Sequence, residues 1–211
     1  MGTRGAWGFV HEGREYLTYN HFDSYPDGLG GDLLRWAAGV TSWDSVRNDV
    51  TLLRLVDSQD TPTPDELTSY AASLDSRVSS GDDWYALLRG NQGDPAATLA
   101  AGVMIEGNTF PVDSLFCEWA YVFDLDAGTF EVYQGFQTSL PTEGRWAGRP
   151  TTEEDAEAYE AHVAWCAEND RDPWIPRTSE YKAVQRVGVW PLDALPSMDD
   201  LLAVAAEEAE V

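Results

Sequence analysis

A chain of 211 residues with 43% hydrophobic and 12% aromatic content can bury a core of its own, which excludes a disordered, collagenous or low-complexity protein. Its 37 Asp and Glu against 13 Lys and Arg give a formal charge of −24, and so few cations cannot displace the counterions of nucleic-acid phosphates, so direct nucleic-acid binding is disfavoured. No signal-like N-terminal stretch is visible, and no apolar run approaches the ~18 residues that span a bilayer, so the expectation is a cytoplasmic protein with no membrane partner.

The length predicts a single domain over 1–211. Residues 5–10 and 15–22 read as two strands joined by a turn at Glu12-Gly13-Arg14. The stretch Asp27-Gly28-Leu29-Gly30-Gly31 then leads into Leu33, Leu34, Trp36 and Ala37, which share the spacing of one buried helix face. Ser42 to Leu55 reads either as a second helix or as a helix running into a strand. Thr63-Pro64-Asp65-Glu66 carries the marks of a helix start, with Thr63 as N-cap, Pro64 in the first turn and Glu66 reaching back, and predicts a helix over 64–79. Trp84 to Leu88 and Ala96 to Ala101 read as short helical pieces bounded by glycines.

Phe116 to Phe123 and Thr129 to Phe136 are rich in aromatic and β-branched residues around Asp126-Ala127-Gly128, which predicts a central hairpin over about 116–136. Glu118 is the one charge inside its first strand and must face solvent or find a partner. Residues 151–168 read as an acidic amphipathic helix, 169–180 as a loop, and Lys182 to Trp190 as a strand stopped by Pro191. Ser197 with Asp200 caps a last helix, whose acidic end over about 197–211 is expected to fray because the helix dipole disfavours anions there. The fold class is therefore α+β, a mainly antiparallel sheet with a central hairpin, packed by helices. Cys117 and Cys166 lack metal-ligand spacing and read as small buried core residues. No cofactor or metal is implied.

The densest patch of chemically capable side chains is Thr18 to Gly30. If 17–25 is extended, Tyr19, His21, Asp23 and Tyr25 share one face while Asn20, Phe22 and Ser24 share the other. A histidine and a carboxylate two apart on a strand can share a proton over one ligand, which nominates His21 as general base or acid and Asp23 as the group that orients it. The helix opening after Gly28 is expected to present free N–H groups to a small anion, with Gly28 and Gly30 at the junction and Arg4 as a bidentate donor. The alternative is that Tyr19 and Tyr25 are core aromatics, His21 is a satisfied structural histidine, and Pro26-Asp27-Gly28 is turn chemistry.

The start Met1-Gly-Thr-Arg-Gly5 and the run Tyr19-Asn-His-Phe-Asp-Ser-Tyr-Pro-Asp-Gly-Leu-Gly30 resemble a family of small uncharacterised proteins found in tailed phages and in bacteria. Cys117 to Asp126 is similar to a hairpin of that group. The resemblance implies a phage or prophage setting, with the host cytosol as location, and marks Thr3, Arg4, His21, Asp23, Tyr25 and Pro26 as motif positions. A fainter resemblance is to N-terminal-nucleophile hydrolases, from which this chain departs because removal of Met1 exposes Gly2, which carries no nucleophile. Gly2 also lacks the myristoylation pattern, since Ala6 stands where that signal needs Ser or Thr.

Three functional readings follow. The first is a small-ligand site, binding or hydrolytic, for a nucleotide-like or phosphorylated anion on Thr3, Arg4, Tyr19, His21, Asp23, Tyr25, Gly28 and Gly30. The second is an acidic interaction protein or DNA mimic that occupies the basic groove of a host DNA-binding or defence protein, with 153–170 and 193–210 as the surfaces. The third is a virion accessory role, in which Trp7, Trp146 and Trp174 are partly exposed anchors.

Overall fold

A computed structural model of the chain describes residues 3–71, 83–149, 161, 163–169, 171 and 181–206. Strands β1 (Gly5–His11) and β2 (Arg14–Asn20) form the N-terminal hairpin, with Glu12 and Gly13 both at positive φ in its turn. A single π-type turn at Pro26–Gly30 runs into helix α1 (Gly31–Ala38). Ser42 accepts a hydrogen bond from the Ser45 N–H and starts α2 (Trp43–Thr51), which gives way to β3 (Arg54–Val56), so Ser42 to Leu55 is a helix followed by a strand. The capping box at Thr63 and Glu66 is formed and opens α3 (Pro64–Tyr70); the remainder of the helix expected to residue 79 lies, from 72 onwards, outside the described residues.

Asp83 and Asp94 cap α4 (Trp84–Leu87) and α5 (Pro95–Ala101), and Gly102, in the left-handed region, ends α5 before β4 (Val103–Ile105). The central hairpin is β5 (Trp119–Asp124) and β6 (Thr129–Gln134). Helical residues 163–168 (α6) are followed by β7 (Gln185–Pro191) and α7 (Met198–Ala206), which Ser197 and Asp200 cap through reciprocal hydrogen bonds. Most of the expected acidic helix 151–168 and the tail beyond 206 lie outside the described residues.

The five-stranded sheet has the order β2-β1-β5-β6-β7 and is antiparallel except for the parallel pair β1 and β5. The α+β class and the mainly antiparallel sheet are thus as read from the sequence. What local pattern could not supply is the parallel β1–β5 pairing, a contact between segments over a hundred residues apart. A separate parallel pair, β3 and β4, lies beside β2.

Both faces of the sheet are covered. Trp7, Phe9, Tyr121, Phe123, Phe130 and Val132 face α1, α2 and Leu201 of α7, while the alternate positions Ala6, Val10, Leu17, Ala120, Val122 and Tyr133 pack against Trp146, Ala183 and Val184. This two-sided burial explains why Trp-Ala-Tyr-Val-Phe is apolar throughout. Trp7 and Trp146 are fully buried, correcting the expectation that they are surface anchors, and Trp174 is outside the described residues. Cys117 and Cys166 are both buried and not joined in a disulfide. No helix among the described residues is long and apolar enough to cross a membrane.

Candidate functional site

The extended run assumed for 17–25 ends at Asn20. There the chain turns, with Asp23 at a φ of 50°, so the alternation that grouped Tyr19, His21, Asp23 and Tyr25 stops after the strand. What organises the turn is Ser24, which is fully buried. Its N–H donates to the Thr3 carbonyl at 3.2 Å, its hydroxyl accepts from Asn20 Nδ2 at 2.9 Å, and its carbonyl accepts from the Tyr121 hydroxyl at 2.9 Å. Asn20 Nδ2 also donates to the Phe22 carbonyl. Burying so many polar groups is tolerable because each finds a partner.

The glycines of the motif serve this packing. A Cβ on Gly28 would overlap the Asp23 carbonyl oxygen, and one on Gly30 would stand 2.9 Å from the Tyr121 ring. The N–H groups of Gly28 and Gly30 donate to the Tyr25 carbonyl, that of Leu29 to Asp23, and that of Gly31 to Gly28. The expected cradle of free N–H groups is therefore absent at Gly28–Gly31: the π-type turn consumes them before the helix begins. Thr3 is buried, its hydroxyl unpartnered among the described residues. Tyr25 and Asp23 are exposed. Arg4 lies with its guanidinium 4.7 Å from the centre of the Phe116 ring, and its N–H donates to Glu118 Oε1 at 3.3 Å, the partner that Glu118 needed.

The structure brings together Tyr19 and His21. The Tyr19 hydroxyl lies 2.7 Å from His21 Nδ1 and the rings meet edge to face. The hydrogen-bond partner of the His21 ring among the described residues is Tyr19, not the Asp23 expected from the sequence. Burial, followed by the neighbouring Tyr85, raises the Tyr19 pKa against a smaller opposing pull from Arg4. The phenol therefore keeps its proton, and which of the two groups donates follows the imidazole tautomer. Separately, the backbone N–H of His21 donates to Gln92 Oε1 at 3.4 Å.

Tyr19 and Gln92 line a cavity of about 300 Å³ together with Ser58, Gln59, Tyr85, Ile105 and Glu106. They come from β2, the loop after β3, α4, the segment before α5 and the end of β4. Ser58 and Gln59 follow β3, and the Ser58 carbonyl accepts the Tyr85 N–H at 3.1 Å, which sets the first turn of α4 against that loop. Ile105 and Glu106 end β4. Immediately afterwards the Gly107 N–H donates to the Leu17 carbonyl at 2.7 Å, and Asn108 Oδ1 accepts from the Leu17 N–H at 2.8 Å, so this segment closes the outer edge of β2. None of these lining residues other than Tyr19 stands out in the sequence, because they are scattered over 58–106 and are joined only by the docking of the small parallel pair on β2.

The lining offers two phenols, two carboxamides, a hydroxyl, one apolar side chain and the carboxylate of Glu106. It holds no cation. No group of three or more His, Cys, Asp or Glu suited to a metal ion occurs among the described residues. No family model matches the chain, and neither a curated protein nor a solved structure matches it.

Proposed function

We propose that the protein binds a small nucleobase-like or nucleoside-like molecule in the cleft beside Tyr19 and His21. The observation that carries this reading is the Tyr19–His21 pair at the edge of a cavity of about 300 Å³, the lower end of the range for small-ligand pockets. The Tyr19 hydroxyl, hydrogen-bonded to His21, keeps a lone pair free to accept from a ligand, beside the Glu106 carboxylate. Ser58, Tyr85 and Gln59 supply donors, and Ile105 supplies an apolar wall. A planar ring with alternating N–H and carbonyl groups matches that set. A phosphorylated ligand matches it less well, since the single formal charge in the lining is negative.

The test is thermal shift and calorimetry with adenosine, guanosine, cytidine and uridine. At least one nucleoside should bind saturably, with Tyr19→Phe and Glu106→Gln each weakening it about tenfold or more while the far-UV spectrum stays unchanged. Equal affinity in Tyr19→Phe, or no binding of any of the four at millimolar concentration, overturns the reading.

A further inference from the structure

On the far end of β2 a second cleft, open and of about 680 Å³, is lined by Val10, Gly13, Arg14, Glu15, Asn108, Asp124, Asp126, Arg145 and Arg149. Three of the 13 cations of a chain with a charge of −24 converge on it. Its three carboxylates match them in number, but these are already engaged by the protein. Asp124 Oδ1 accepts from the N–H groups of Asp126 at 3.0 Å and Ala127 at 2.8 Å, and its Oδ2 is taken by Arg145. Asp126 accepts from the N–H groups of Glu12 at 2.9 Å and Gly13 at 2.8 Å, and meets His11 Nδ1 at 3.2 Å. Glu15 lies 3.7 Å from Arg145.

Arg145 is thereby anchored, with Glu131 a further 3.7 Å partner beneath it. Arg14 and Arg149 are different. Among the described residues neither guanidinium has a carboxylate at ion-pair distance, although acids outnumber bases almost threefold in the chain. The Arg14 guanidinium is instead held over the Tyr16 ring, 4.9 Å from its centre, which limits the freedom it would lose on gripping a ligand. Arg149 is set by a turn in which its N–H donates to the Trp146 carbonyl at 3.0 Å and Gly148, at positive φ, donates to Pro141 at 2.8 Å. Trp146, fully buried, fixes that turn to the sheet.

We propose that this cleft binds a small oxyanion, a carboxylate or a phosphate ester, gripped by Arg14 and Arg149 with Arg145 as the fixed charge between the acids and the opening. Planar guanidinium forks match both anions in a two-point geometry. The site is independent of the Tyr19 cleft and shares no lining residue with it.

The experiment follows the arginine side-chain Nε–H resonances of the intact protein during titration with inorganic phosphate and, separately, with succinate. Sodium chloride at matched ionic strength is the control. Saturable shifts at Arg14, Arg145 and Arg149 with phosphate or succinate, with the affinity read at Arg145 weakened tenfold or more in Arg14→Ala/Arg149→Ala, are the expected result. Phosphate alone acting identifies a phosphate ester, and succinate alone a carboxylate. Shifts that climb linearly and match those in chloride, or an affinity unchanged in the double variant, overturn the proposal. Both residues are exposed, so the variant should keep its fold, and nucleoside affinity at the Tyr19 cleft should not move.

Discussion

Replacing Tyr121 by Phe tests whether the N-terminal motif is built around the buried turn at Ser24. The ring of Tyr121 is fully buried in the main core, and its hydroxyl donates to the Ser24 carbonyl at 2.9 Å. Burial pushes that phenol well above its ordinary pKa, so it acts only as a neutral donor. Phe keeps the ring but removes the donor and leaves the Ser24 carbonyl buried without it. A net hydrogen bond of about 1 kcal/mol is the lower limit of the loss and a buried carbonyl left unsatisfied, up to about 3 kcal/mol, the upper, so the change costs about 1–3 kcal/mol. For a chain of this size that is a fall in Tm of about 2–12 °C. Urea denaturation should show the midpoint falling with an unchanged slope. Nucleoside affinity, measured where the variant is fully folded, should be preserved because Tyr121 does not line the cleft. A loss under about 0.5 kcal/mol would show that the turn does not depend on this donor and would refute the structural account of the motif.

Gly107→Ala places a methyl 2.9 Å from the Tyr19 nitrogen and 3.1 Å from Thr18 Cα, backbone atoms that cannot rotate away; it should cost about 1–3 kcal/mol in urea titration and also weaken nucleoside binding, because Tyr19 moves relative to Ile105 and Glu106. Asp126 has its carboxyl pKa lowered from 3.8, first by the Gly13 N–H and then by the Glu12 N–H and His11. A folded-state pKa below the unfolded value means this stabilisation is complete above about pH 3.8 and is lost as pH falls through the depressed value. Asp126→Asn should therefore flatten the acid limb of stability measured between about pH 2 and 6, and an acid limb identical to that of the unmodified protein would contradict the assignment. Asp200 and Glu66, lowered by their capping hydrogen bonds, shift in the same direction.

Local pattern alone was sufficient for several elements. The hairpin turn at Glu12-Gly13, the capping boxes at Thr63 and Ser197, and the hairpin around Asp126-Ala127-Gly128 all appear where turn and cap chemistry placed them, since each depends on residues within a few positions of one another. The motif at Tyr19–Gly30 was legible as a dense cluster, but its meaning was not. Periodicity carried the strand past Asn20, whereas the bonds of Ser24 to Thr3 and Tyr121 bend the chain there. Arg4 lies over the Phe116 ring, a contact with a residue more than a hundred positions away that no local spacing foretells.

The α+β class, the order of most elements and the scarcity of cations are readable from residue order, because propensity, capping and composition act locally or as sums over the chain. Which side chains share a cleft depends on how distant segments dock. Tyr19 meets Tyr85, Gln92 and Glu106, and Arg14 meets Arg145 and Arg149, through the docking of β3–β4 on the edge of β2 and the packing of Trp146 beneath the sheet. Those contacts join residues that are remote along the chain, and no local spacing encodes them.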